Sequence, residues 1–151
     1  MVESTVAINT RSMGEEPDSE PHIADIRREW HWVKQGVEEI LAEQEQLTYI
    51  PEDVYAACLN RDTILWVAPE GFVVSQELED EFTGDKTFFI WLAWTKHRGQ
   101  SCAIKYYPFF AQVAKEYGFS KIETRSPIPA LEGYFIAEGW KKDTVIYTRE
   151  L

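Results

Sequence analysis

The segment Lys86–Thr95 (KTFFIWLAWT) constrains this chain more than any other. It is the most β-prone stretch, and it is apolar at odd and even positions alike. A strand with one wet face alternates, whereas a strand without alternation is covered on both faces. The fold must therefore hold a sheet with a layer on each side of its central strand. The chain can supply those layers: of 151 residues 44% are hydrophobic, and Trp, Tyr and Phe number 6, 7 and 8. That bulk fits one domain spanning residues 1–151 and excludes wholesale disorder. No apolar run approaches the roughly 18 residues that cross a bilayer. Met1–Asn9 has neither a basic start nor a long apolar stretch, so a cytoplasmic location is expected. Cys58 and Cys102 lie far apart, with no CxxC, and fit a reduced compartment.

Around this strand the pattern is mixed. A weak strand is expected at Ser4–Thr10, and Thr10–Pro21 reads as a polar loop or arm. Ile23–Gln46 places apolar residues at steps of three and four, which predicts a helix. Pro51 followed by Glu52 and Asp53 opens a second helix through about Leu59. Thr63–Ala68 and Gly71–Gln76 are β-rich runs around Pro69-Glu70, a predicted hairpin, and Glu77–Asp85 reads as an acidic loop. After the central strand come a long helix from about Gln100 to Tyr117 stopped by Gly118, a strand at Lys121–Arg125, a short helix Ala130–Glu138 and a last strand Asp143–Arg149. The order (β)ααβββαβαβ implies an α/β (α+β) domain with a mixed sheet flanked by helices.

The net charge of −11 is unevenly distributed. Residues 1–85 carry 20 acidic against 5 basic residues, and residues 86–151 carry 6 against 10. Binding of duplex nucleic acid is not expected of so acidic a chain. The split instead assigns an anionic ligand to the C-terminal half and a cationic partner to the N-terminal half.

Thr95–Ala103 (TKHRGQSCA) joins the central strand to the long helix. A tight turn there presents backbone N–H groups at a helix start, beside Lys96, His97 and Arg98, as an anion site would require. The competing reading is an ordinary connection with solvated basic residues. Cys102 sits in the first turn of that helix, where the dipole lowers a thiol pKa, although a small buried residue is the plainer reading. His22, His31 and His97 share no metal-ligand spacing, and no metal is expected.

The order of elements and this turn resemble the GNAT superfamily of acetyl-CoA-dependent N-acetyltransferases over nearly the full chain. In that family the turn reads Gln/Arg-x-x-Gly-x-Gly/Ala and cradles the coenzyme A pyrophosphate. Here Arg98 takes the first position, Ala103 the last, and Ser101 stands where the family has Gly. The resemblance implies a GNAT-like, mostly antiparallel sheet and acetyl-CoA as co-substrate. It also implies a site made of Leu92, Ala93 and Trp94 for pantetheine and Arg98, Gly99, Gln100, Ser101, Cys102 and Ala103 for the pyrophosphate.

Leu131–Trp140 (LEGYFIAEGW) resembles the family's last helix, which implies a general acid. The family's tyrosine position falls on Phe135, and Tyr134 one place earlier is the candidate. Amine acetylation also needs a base, and the central strand has neither an acid nor a histidine. Glu123 on the following strand and His97 are the nearest candidates. The implied function is acetyl transfer to a small or peptidic primary amine, cationic in character, away from membranes. Ser101, the missing strand acid and the displaced tyrosine equally fit a binding or structural protein of this fold. Small divergent chains of this kind also resemble proteins of tailed bacteriophages, which implies a partner or virion assembly engaging the N-terminal half.

Overall fold

The computed structural model describes residues 20–97 and 101–151. The weak strand expected at Ser4–Thr10 and most of the polar arm lie outside the described residues. A two-residue strand, β1 (His22–Ile23), leads into α1 (Ile26–Glu43) and α2 (Pro51–Leu59). The hairpin β2 (Thr63–Ala68) and β3 (Gly71–Glu79) and the central β4 (Lys86–Thr95) follow. Next come α3 (Cys102–Lys105), α4 (Tyr107–Glu116), β5 (Lys121–Thr124) and α5 (Pro129–Ala137). The sheet has the order β1-β2-β3-β4-β5, antiparallel throughout except for the parallel pair β4–β5. This is the mixed, mostly antiparallel GNAT-like sheet that the element order implies.

Both faces of the sheet are covered, as the apolar run of β4 demands. One face packs Val33 and Val37 of α1 and Val54 of α2 against Leu65, Phe72, Val74 and Leu92. The other packs Cys102 of α3, Tyr106 between the helices, and Phe110 and Val113 of α4 against Trp66, Phe88 and Ile90. Asp25 caps α1 by accepting the Arg27 N–H at 2.9 Å. Gly36 lets α1 approach closely, because a Cβ there would meet Phe72 at 2.5 Å and Trp94 at 2.8 Å.

The structure corrects three expectations. The long helix is two helices broken at Tyr106, because Pro108 in the first turn of α4 lacks the N–H an unbroken ladder needs. The acidic run is strand through Glu79, pairing Glu77 with Phe88 and Glu79 with Lys86, and Glu77 also ion-pairs Lys86 at 3.9 Å. Asp80 then holds the turn by accepting the Phe82 and Thr83 N–H groups at 2.8 and 2.9 Å. Finally, Asp143–Arg149 forms no strand: residues 141–151 have no regular structure, and Val145, Ile146 and Tyr147 are exposed. Their β-prone composition does not create a ladder, which needs a partner backbone.

Candidate functional site

β4 carries an irregularity that determines the site. Its register with β3 pairs Ser75 with Ile90 and Val74 with Leu92, so Trp91 is an extra residue, a β-bulge. The bulge shifts the alternation, so that Ile90 and Ala93 face the α3–α4 layer and Leu92 faces α1 and α2. Just beyond it β5 ends. The parallel pairing covers Thr87 to Ile90, closing with Ile90 opposite Thr124, whose hydroxyl donates to the Ile90 carbonyl at 3.3 Å. Trp91–Thr95 therefore has β3 on one side and no strand on the other among the described residues. The result is a notch with backbone polar groups along one wall. Tyr49, in the connection between α1 and α2, packs its ring on Trp91 at 5.3 Å. Its hydroxyl is buried with no hydrogen-bond partner among the described residues, and burial pushes its pKa up.

The turn after β4 is tied at its base. Thr95 Oγ1 accepts the Cys102 N–H at 3.3 Å and donates to Cys102 Sγ at 3.5 Å. Burial raises the Cys102 thiol pKa, with a smaller raising effect from Glu70, which overrides the dipole lowering expected from a helix start. α3 has only four residues, so its dipole is slight, and Cys102 is a packing residue. Ser101 is extended (φ −129°, ψ 123°) and its side chain makes no capping bond. Ala103 is buried, Lys96 sits 5.8 Å from the Trp32 ring, and His97 is exposed. Arg98, Gly99 and Gln100 lie outside the described residues.

A polar cluster beside this turn went unpredicted. Glu70, in the β2–β3 turn, accepts the Tyr106 hydroxyl at 2.7 and 2.8 Å and ion-pairs Lys105, while its backbone carbonyl accepts the Lys96 N–H at 2.8 Å. Burial works to raise the Glu70 carboxyl pKa, but the bonds from Lys105 and Tyr106 outweigh it and hold the group below its usual range. Burial and the bond to Glu70 push the Tyr106 phenol up. The cluster fixes the start of the turn to the end of α3. No local sequence pattern announces it, because its partners lie 36 residues apart.

The remaining candidates lie on neighbouring elements. Glu123 stands on β5 opposite Phe89, just before the notch, and both its bonds from Arg125, at 2.7 and 2.8 Å, reach Oε2. Tyr134 is a half-exposed residue of α5, and Phe135 beside it packs on Trp140 at 5.4 Å. The acidic run is at the other end of β4: Glu79 pairs with Lys86, whereas Gly71 pairs with Thr95. At roughly 3.4 Å per residue that is on the order of 27 Å from the open end. Among the described residues no group of three His, Cys, Asp or Glu is placed to hold a metal ion. No described helix is long and apolar enough to cross a membrane.

No protein-family model matches the sequence, and it has no match among curated proteins. Solved structures do match. A candidate acetyl transferase from Pyrococcus furiosus is 19% identical with a TM-score of 0.67, over 87% of this chain and 100% of that one. The ribosomal-protein-alanine N-acetyltransferase from Brucella melitensis biovar Abortus 2308 is 16% identical with a TM-score of 0.65, over 87% and 98%. An aminoglycoside acetyltransferase from an uncultured soil metagenomic sample is 12% identical with a TM-score of 0.64, over 90% and 98%. At these identities the shared property is the fold, and the fold of this chain is that of the GNAT acetyltransferases.

Proposed function

We propose that the chain is a GNAT-type acetyltransferase that moves acetyl from acetyl-CoA to a cationic primary amine. The carrying observation is the notch: a bulge at Trp91 and an open strand edge over Trp91–Thr95, reached from Ile90 where β5 stops. The residues fit the group they would hold. An extended pantetheine arm presents amides, and the open edge of Leu92–Trp94 offers it backbone donors and acceptors as a missing strand would. The pyrophosphate is assigned to Arg98–Ala103, as the resemblance implies, and of these Cys102 is tied to the end of β4 through Thr95. Ser101, without a capping bond, offers its hydroxyl there. Acetyl-CoA supplies the activated thioester, and the chain supplies position and polarity.

The acceptor amine must be neutral to react. Glu123, oriented by Arg125 at the edge of the notch, takes its proton, and Tyr134 on α5 returns one to the thiolate.

The test is thiol release from acetyl-CoA in the presence of a panel of primary amines, from polyamines to peptides. Amine-dependent release is expected. Arg98→Ala should weaken acetyl-CoA binding by about tenfold or more, the loss of one charge-assisted contact of about 1.5–3 kcal/mol. Ser101→Gly should weaken binding slightly if the hydroxyl donates to phosphate. No binding of any coenzyme A species, and no effect of either change, would remove the proposal.

A further inference from the structure

The gap that opens where β5 stops has two faces, and the chain lines them differently. On one, Ala93 packs with Cys102 and Ala103 of α3, the helix that follows the turn assigned to pyrophosphate. Acetyl-CoA held by that turn reaches the gap from this face, which leaves the opposite face to the acceptor. There Trp91 joins the α1–α2 layer, and Tyr49 sets its ring against Trp91 at 5.3 Å and an angle of 49°. Both residues are only partly buried.

β5 supplies the other side of that face. Ile122 packs in the α3–α4 layer, so Glu123, the next residue of the strand, points to the α1–α2 side. Phe89 does the same, because it follows Phe88 of the α3–α4 layer and pairs with Glu123. The Arg125 guanidinium lies over the Phe89 ring at 4.4 Å and bonds Glu123. The same face thus holds an aromatic pair on one side of the gap and a single carboxylate, with a cation beside it, on the other.

On the basis of the acetyl-transfer reading, we propose that the acceptor is a primary amine with one positive charge and an aromatic body, its ring resting on Tyr49 and Trp91 and its amine at Glu123. Aromatic rings attract another ring by offset or edge contact and an ammonium by their faces, so the pair suits both parts of such a molecule. A polyamine fits less well. Its further charges would meet Arg125, whose side chain is 61% exposed. The carboxylates at the start of α2 are already engaged, Asp53 by the Ile50 N–H at 3.0 Å and Glu52 by Lys34 at 3.3 Å. The acidic run stands at the far end of β4, where Glu79 pairs with Lys86. In the reaction the ammonium gives one proton to Glu123. The free nitrogen then bonds the acetyl carbon as the carbon–sulfur bond breaks, and the nitrogen's second proton replaces the one that Tyr134 gives to sulfur.

The test is calorimetric titration of phenethylamine and of spermidine into the full chain, alone and with coenzyme A. Phenethylamine should bind more tightly than spermidine by about tenfold or more. Tyr49→Leu, outside the sheet, should remove most of that preference while acetyl-CoA affinity stays at the parent's value, and Tyr49→Phe should keep it. Arg125→Gln should strengthen spermidine binding. No binding of phenethylamine, an equal or tighter affinity for spermidine, or a preference that survives Tyr49→Leu would each overturn the proposal. Failure of the acetyl-transfer reading would show separately, as no binding of any coenzyme A species, because titration of the amine into the chain alone reads the aromatic pair directly.

Discussion

The two halves of β4 have nearly the same composition and opposite roles. Over Thr87–Ile90 the strand is paired on both sides, by β3 and by β5, and its side chains are buried. Phe88 there is 1% exposed, with its ring 5.7 Å from Phe110 and 5.6 Å from Phe119. Over Trp91–Thr95 the same strand bulges, keeps β3 and loses β5. Apolar character therefore explains why β4 is central but not where the proposed site lies. The location depends on where the neighbouring strand stops and where one residue is inserted. Rigidity in the first half holds the unpaired backbone of the second half in place, as a preorganised site needs.

The largest expected effect falls in the paired half. Phe88→Ala should destabilise the protein by about 3–5 kcal/mol, as burial and a residual cavity dictate. Its acetyl-CoA affinity, measured below the unfolding transition, should stay close to the parent's. A selective loss of affinity at unchanged stability would blur the division between the halves.

The open half is sensitive in another way. A Cβ on Gly71 would run into the Trp94 carbonyl, so Gly71→Ala must push β3 and β4 apart at the notch. Overpacking of this kind costs about 1–3 kcal/mol. Here stability and acetyl-CoA affinity should fall together, read by thermal melts and isothermal titration. A fall in stability alone would show that the notch tolerates movement of its wall.

A smaller effect is expected at Glu70, which braces the turn. Its carboxyl pKa is held below the ordinary 4.5, so its contribution is present above that pH and disappears as pH falls through the folded value. Glu70→Gln should cost about 1 kcal/mol near neutral pH, since the neutral amide keeps only part of the bonding to Lys105 and Tyr106. The deficit should shrink under acid, and equal deficits at both pH values would mean that the charge contributes nothing.

Much of this architecture is legible in the residues. β4 starts and ends where the run from Lys86 to Thr95 does, Pro51 opens α2, and Pro69-Glu70 turns the hairpin. The break at Tyr106 was signalled by Pro108. The bulge was not: a strand apolar on both faces keeps no record of which parity is which, so a one-residue shift leaves no trace. Glu70 and Tyr106 meet only through the fold. Asp143–Arg149 shows the converse, a strand-like sequence without a partner in its own chain. Of the candidate site, Leu92, Ala93 and Trp94 lie at the end of β4 and Ser101–Ala103 at the start of α3.

The most direct test is hydrogen exchange along β4 with and without acetyl-CoA. The notch reading predicts added protection at Leu92, Ala93 and Trp94, together with the turn that follows. Thr87–Ile90, already paired on both sides, should change little. Protection confined to other elements, or none at millimolar acetyl-CoA, would contradict it.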